Sequence, residues 1–233
     1  MHKRPYGLIY SVLKSGKETS RFHYRRAKWG DAMTKGEQTR RQIVQKAAPL
    51  FNRKGYEGTS LSDLMNATGL QKGGIYRHFS SKEELATEAF DYAWQKAVST
   101  RLEGIESSAN SVDRLKKMIR NFVESRSELV PGGCPLMNTA VEADDGNAVL
   151  RARAKKALQS WMGRLFKITA DGIRENQIDR RMDPRKLSQL IIGTLEGALL
   201  ISRLQKDHQA LQDARQHLDD YLERSVRAKL NRK

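Results

Sequence analysis

The sequence predicts an all-α fold, with a helix-turn-helix in the N-terminal third and a larger helical part after it. Three observations carry this reading. Apolar residues recur at three- and four-residue spacing from Glu37 almost to the C-terminus. Glycines and Pro/Gly or Asp–Pro runs punctuate the pattern where helices should stop. No run of alternating β-branched residues reads as a strand.

Residues 1–32 show no clear period. They read as a basic extension, disordered or not native, because Met33 opens a polar stretch, MTKGEQTRRQIV, that resembles a natural protein start. The competing reading is a basic arm that grips DNA, as homeodomain arms do. A helix-turn-helix domain is placed at 33–82 and a helical domain at 83–233. In the first helix Ile43, Ala47 and Leu50/Phe51 share a face. Pro49 removes one backbone hydrogen bond, so a kink or loosening is expected there. Gly55 is the expected stop. Thr59 and Ser60 are good N-caps for LSDLMNAT, and Gly69 ends that helix. A short helix anchored by Leu70, Ile75 and Phe79 follows. Ser80 or Ser81 caps the next, with Glu83 and Glu84 complementing its dipole. Further helices are expected near 82–105, 111–129, 135–143, 147–176, 184–206 and 208–230.

Composition narrows the function. The 233 residues are 38% apolar, enough to bury a core, and carry a net charge of +16. That excess points to a polyanion partner. Residues 1–32 carry eight Lys/Arg against two Asp/Glu, residues 33–82 nine against three, and the remainder 26 against 22. The basic excess therefore lies in the N-terminal third. A single cysteine, Cys134, excludes a disulfide framework and Cys-rich zinc sites, and fits a reducing, cytoplasmic setting. The apolar run from Leu190 to Ile201 is broken by Glu196 and is shorter than the roughly 18 residues of a membrane span, so no membrane partner is expected. There is no nucleophile elbow, no H-E-x-x-H and no phosphate-binding glycine loop, and the five histidines are scattered. No enzyme activity, cofactor or metal is expected.

The stretch TGLQKGGIYRHF (68–79) carries two adjacent glycines in a short helix, where each costs about 1 kcal/mol relative to alanine. Taken alone, they read as a loosened helix start. Here they follow a capped helix and a turn glycine, the pattern of a helix-turn-helix whose second helix enters the major groove of double-stranded DNA. A missing side chain at Gly73 or Gly74 lets backbone approach phosphate or base edges. Lys72 reaches base or phosphate, Tyr76, Arg77 and His78 supply donors a turn later, and Lys82 opens the next helix.

The segment FNRKGYEGTSLSDLMNATGLQKGGIYRHFSSKEEL (51–85) resembles the DNA-binding domain of TetR/AcrR-family transcriptional regulators. The resemblance covers residues 37–85 and rests on several spaced positions at once. It implies that Thr59 meets a phosphate, that Lys72 and Gly73 face the groove, that Tyr76 and His78 touch phosphates and that Lys82 clamps the flank. Gln71 stands where the family usually has a small capping residue, and Gly74 where it has Thr, Ala or Ser. Gln71 either pairs with an adenine edge or is simply solvated. GGCPLMNTAVEADD (132–145) is similar to a segment of one branch of the family.

For the larger part the resemblance implies an effector-binding and homodimerisation domain, and a repressor released by an unknown small molecule. Helix 184–206 is apolar on nearly every side, which requires burial all round. Leu190, Gly193, Gly197 and Leu200, with Leu211, Leu218 and Leu222 of the following helix, are read as a four-helix dimer interface; the alternative is packing within the chain. Trp94, Met118, Phe122, Met137, Trp161 and Phe166 are candidates for an apolar effector pocket, with Asn138 orienting a polar group; plain core, and surface exposure for Asn138 and Glu142, are the alternatives. Two other functions compete: a redox-responsive regulator acting through Cys134, and a non-specific polyanion binder.

Overall fold

The computed structural model describes residues 34–125 and 131–229. The basic extension and the last residues of the helices expected to reach 129 and 230 lie outside them. Among the described residues nine α-helices follow in order: α1 Lys35–Gly58, α2 Leu61–Thr68, α3 Lys72–Tyr76, α4 Lys82–Arg101, α5 Ser111–Glu124, α6 Pro135–Glu142, α7 Ala148–Arg174, α8 Pro184–Gln205 and α9 Gln209–Tyr221. Among the described residues there is no sheet, only an isolated antiparallel pairing of Ile178 with Arg227.

The caps are where the side-chain chemistry puts them. Thr34 and Glu37 bond reciprocally at the start of α1, the Thr34 amide donating to Oε2 of Glu37 at 2.9 Å. Ser60 caps α2 in a full capping box with Asp63, and Ser81 caps α4 through the Glu84 amide. α1 passes Pro49 in helical conformation, so the expected kink is not there. The break falls at Gly55, whose φ of 77° and ψ of 175° no helix contains.

Two cores meet along α4. Ile43, Ala47, Leu64, Ile75 and Phe79 pack with Leu85, Ala89 and Ala93 of α4. Phe90 and Trp94, each one residue after Ala89 and Ala93 and so on the adjoining face of α4, pack instead into the larger core of α5 and α7–α9. The first core is tied at its edge by Arg40. Its guanidinium lies 4.2 Å from the centre of the Phe79 ring and donates to Glu84 at 2.6 Å. Two hydrogen bonds from Ser80, reinforced by Arg40, hold the Glu84 carboxyl down at about 2.

α8 departs from the expectation of burial on every side. Leu187, Ile191, Leu195 and Ala198 face the core, whereas Leu190, Leu200, Ile201 and Leu204 are exposed. Its 22 residues are, by length and composition alone, long and apolar enough to cross a membrane, contrary to the reading of a short apolar run. Leu211, Leu218 and Leu222 correct the dimer assignment. They are 4%, 0% and 0% exposed and belong to the chain's own core, leaving none of their surface for a partner. Periodicity had shown that α9 buries one stripe, and α8 and α5 are what cover it.

Candidate functional site

The turn between α2 and α3 is made by Gly69 in the left-handed region, whose amide closes on the Met65 carbonyl at 2.8 Å. α3 is then held by little. Ile75 is its one buried residue, and Phe79 anchors the chain just after it. Its outward side carries Gln71, Lys72, Gly73, Tyr76 and Arg77, all exposed, with His78 half-buried beside them. None of the described residues hydrogen-bonds or ion-pairs with the side chains of Gln71, Lys72, Tyr76, Arg77 or His78.

The two glycines of α3 separate here. A Cβ on Gly74 would make only ordinary contact with the Leu70 side chain, at 3.4 Å. A Cβ on Gly73 would meet nothing within 4 Å. The chain itself therefore gives no reason for a glycine at 73. Gln71 takes the N-cap position of α3 with no side-chain hydrogen bond, so its amide is free to face outward.

Two flanking residues sit differently from expectation. Thr59 is 0% exposed and its hydroxyl donates to the Gly55 carbonyl at 2.6 Å. Its side chain closes the α1–α2 corner and is not presented to a phosphate. Lys82 is half-buried, with its ammonium 4.4 Å from the centre of the Tyr56 ring. Stacking holds that charge at the edge of the reading face.

A second feature lies in the larger core. A cavity of about 280 Å³ opens between α4, α5 and α8, walled by Ala93, Ala97, Phe122 and Leu199. At its inner end is Arg101, 4% exposed. Its guanidinium carbon lies 4.4 Å from the Phe122 ring centre, 5.4 Å from Trp94 and 5.6 Å from Trp161. The Arg101 side chain donates to Cys134 Sγ at 3.4 Å, and the Cys134 thiol donates to Glu196 at 3.0 Å. Burial raises the Cys134 thiol to about 11, against the opposing pull of Arg101. Burial likewise raises the Glu196 carboxyl above its ordinary value.

Of the expected pocket residues, Phe122 lines this cavity. Trp94 and Trp161 stand behind it around Arg101, edge to face with ring centres 6.1 Å apart. Met118 is plain core, Met137 packs at the core's margin, and Phe166 lies outside the core cluster. Asn138 turns away from the cavity and donates to the Asn52 carbonyl at 2.9 Å and the Gly132 carbonyl at 2.8 Å.

This architecture is shared with known proteins. A family model described as "Bacterial regulatory proteins, tetR family" matches residues 43–89, and one described as "Tetracyclin repressor-like, C-terminal domain" matches 111–218. The crystal structure of a TetR transcriptional regulator from Chloroflexus aurantiacus superposes with a TM-score of 0.81 at 41% identity, over 84% of this chain and 100% of that one. The chain belongs to the TetR family of transcriptional regulators. A second family structure, from Cytophaga hutchinsonii, gives a TM-score of 0.80 at 35% identity, over 86% and 100% of the two chains. Among curated relatives, the HTH-type transcriptional repressor DhaR of Mycobacterium sp. strain GP1 is 26% identical over 175 residues, 74% of this chain and 86% of that protein. As a TetR-family member the protein is a DNA-binding regulator of transcription and not an enzyme.

The regulator's buried Arg101–Cys134–Glu196 cluster was invisible in the sequence. Its members lie 33 and 62 residues apart along the chain. The missing signal was a basic residue near Cys134 in space, where sequence offered none nearby. Even so, the thiol is held protonated. From an ordinary value of 9.0 to about 11, the thiolate fraction at pH 8 falls by roughly 100-fold. Iodoacetamide at pH 8 should therefore alkylate Cys134 at least about 100-fold more slowly in the folded regulator than in denaturant. Equal rates, followed by mass spectrometry, would show a reactive sensor thiol instead.

Proposed function

We propose that this TetR-family regulator is a ligand-responsive repressor that binds a palindromic operator as a homodimer, reading DNA with residues 33–82 and sensing its effector with residues 83–233. The observation that carries the reading is the unoccupied space over Gly73 on an outward face of free donors. In this reading Lys72 and Gly73 approach the base edges, Gln71 contributes sequence preference, and Tyr76, Arg77 and His78 hold phosphates. Lys82, steadied on Tyr56, contacts the flanking strand. The Thr59 side chain takes no part.

The outward side of α8 supports the homodimer. Leu190, Leu200, Ile201 and Leu204 form an apolar strip, and Gly193 and Gly197 on the same helix would each offer a Cβ nothing within 4 Å. An apolar face with two gaps between its side chains suits close approach of the same helix in a second copy. Two reading heads then meet two half-sites about one helical turn apart.

The effector reading is supported by the segment that joins cavity to reading head. Gly133 and Cys134 line the cavity. The same segment grips the end of α1. The Asn52 side chain donates to the carbonyls of Pro131 and Gly133, both at 3.1 Å. The Glu142 carboxylate accepts from the amides of Tyr56 and Glu57 at 2.8 and 3.0 Å. Gly55 is what admits it, since any Cβ there would lie 2.4 Å from Glu142 Oε1. A ligand that displaces Cys134 moves α6, and α6 carries α1 of the reading head. A small change in the separation of two heads costs affinity at both half-sites at once.

Selection from random duplex DNA by the full chain should enrich one palindrome; salt-sensitive binding without an enriched site would favour a polyanion binder. Gly73→Ala should leave thermal stability unchanged or raise it by up to about 1 kcal/mol, yet weaken binding to the selected site about tenfold or more. Undiminished affinity would remove the close approach at Gly73.

The apolar strip generates a second expectation. Leu200→Glu should convert the dimer to monomer in sedimentation while preserving helical content, because Leu200 is 56% exposed within one chain. A Leu200→Glu chain that sediments as wild type would place the partner elsewhere.

Glu142→Ala frees the amides of Tyr56 and Glu57 and should weaken operator binding several-fold although Glu142 lies outside the reading helix. Titration with the selected duplex checks this, and unchanged affinity would break the proposed route between cavity and head.

A further inference from the structure

Arg101 is a buried cation whose hydrogen-bonding capacity is mostly unspent. A guanidinium has five N–H groups in a planar fork. Here one of its nitrogens donates to a thiol, a weak acceptor, at 3.4 Å. The nearest carboxylate oxygen, Glu196 Oε1, is 3.9 Å away, beyond hydrogen-bond reach. Arg101 Nη1 and Glu196 Oε2 have no hydrogen-bond partner among the described residues, and both atoms are buried. The Phe122, Trp94 and Trp161 rings satisfy the faces of the guanidinium but not its edge. A purely structural pair would close to a bidentate fork near 2.8 Å, because an unmatched buried charge is strongly destabilising. This one is held open, beside a cavity that Arg101 itself lines.

The walls and the mouth specify the missing partner. The walls are Ala93, Ala97, Phe122 and Leu199, which suit an apolar body. Among the described lining residues, Arg203 and Lys206 join Arg101, against one acid, Asp207. About 280 Å³ lies at the small end of the range for ligand pockets, roughly 300–1,000 Å³. A single inner guanidinium with a carboxyl nearby suits one negative charge better than two, which disfavours a phosphate dianion.

We propose that the cavity binds a small monocarboxylate with an apolar body, its carboxylate paired with the Arg101 guanidinium at the inner end. This rests on the reading of the cavity as the effector site. The ligand completes the fork that the protein leaves open, and its entry beside Cys134 acts on the segment leading to α1.

The test uses the full chain and its own tryptophans, two of which flank Arg101. Pentanoate and benzoate are titrated against pentanamide and benzamide, with thermal shift as a second readout. The expected result is saturable binding of the acids, with the matched amides at least about tenfold weaker. Arg101→Met should abolish that discrimination, and Glu196→Gln should preserve it. Because Arg101→Met leaves Glu196 unpaired, Arg101→Met/Glu196→Gln serves as the variant with a neutral pocket, its fold checked by binding of the selected duplex. Equal binding of acid and amide, or no binding of either at millimolar concentration while the duplex is still bound, would overturn the proposal and leave the DNA-binding reading intact. Acid-selective binding that depends on Arg101 but leaves the duplex bound would uphold the site and overturn only its role as effector site.

Discussion

One helix has to satisfy two cores, and the arrangement of the other helices follows from that constraint. Along α4, Leu85, Ala89 and Ala93 close the core of the reading head, while Phe90 and Trp94 enter the larger bundle. The two sets lie on adjoining faces of the same 20 residues. Small side chains at 89 and 93 pack into the first core on one side, and bulky aromatic residues enter the larger core on the other. Ala93 also walls the cavity, so a single α4 position belongs to both the first core and the cavity lining. A helix so occupied cannot shift against one core without disturbing the other.

The second link between the parts is polar. It runs through Asn52, Asn138 and Glu142, which pair side chains with backbone groups at the end of α1 and in the 131–133 turn. Gly132 takes a φ of 124° and would put a Cβ 2.7 Å from the Asn52 carbonyl oxygen, so the turn can close over α1 only with glycine there. Apolar contact along α4 supplies rigidity, and this network supplies direction. Hydrogen bonds of fixed geometry break or form with small displacements, whereas packed alanines tolerate them.

What sequence made legible was local. The capping box at Ser60, the turn at Gly69 and the anchors Ile75 and Phe79 all act within a few residues, so spacing alone exposed the helix-turn-helix. What it hid was set by tertiary pairing. The stripe on α9 was readable as buried, but periodicity carries no information on whether the cover is the same chain or another. Thr59 was readable as a cap or a phosphate ligand, yet its hydroxyl satisfies a carbonyl that Gly55 frees when it leaves helical geometry. Asn138 and Glu142 read as surface residues because their partners are backbone groups some 86 residues earlier. The aromatic residues of the bundle were found as a set, but the cation at their centre was an ordinary arginine at the end of a helix until the fold enclosed it.

The slight anchoring of α3 has a consequence for how such a protein changes over time. Stability is vested in Ile75 and Phe79, which face inward, while Gln71, Lys72, Tyr76 and Arg77 hold nothing else in place. Exchanges at exposed positions of this kind typically alter folding free energy by less than about 0.5 kcal/mol. The alphabet of the reading head can therefore be rewritten at almost no cost to the body that carries it. After gene duplication, a copy of this chain is free to drift at its outward α3 face while keeping its fold, because the residues exposed there are not the residues that hold the protein together.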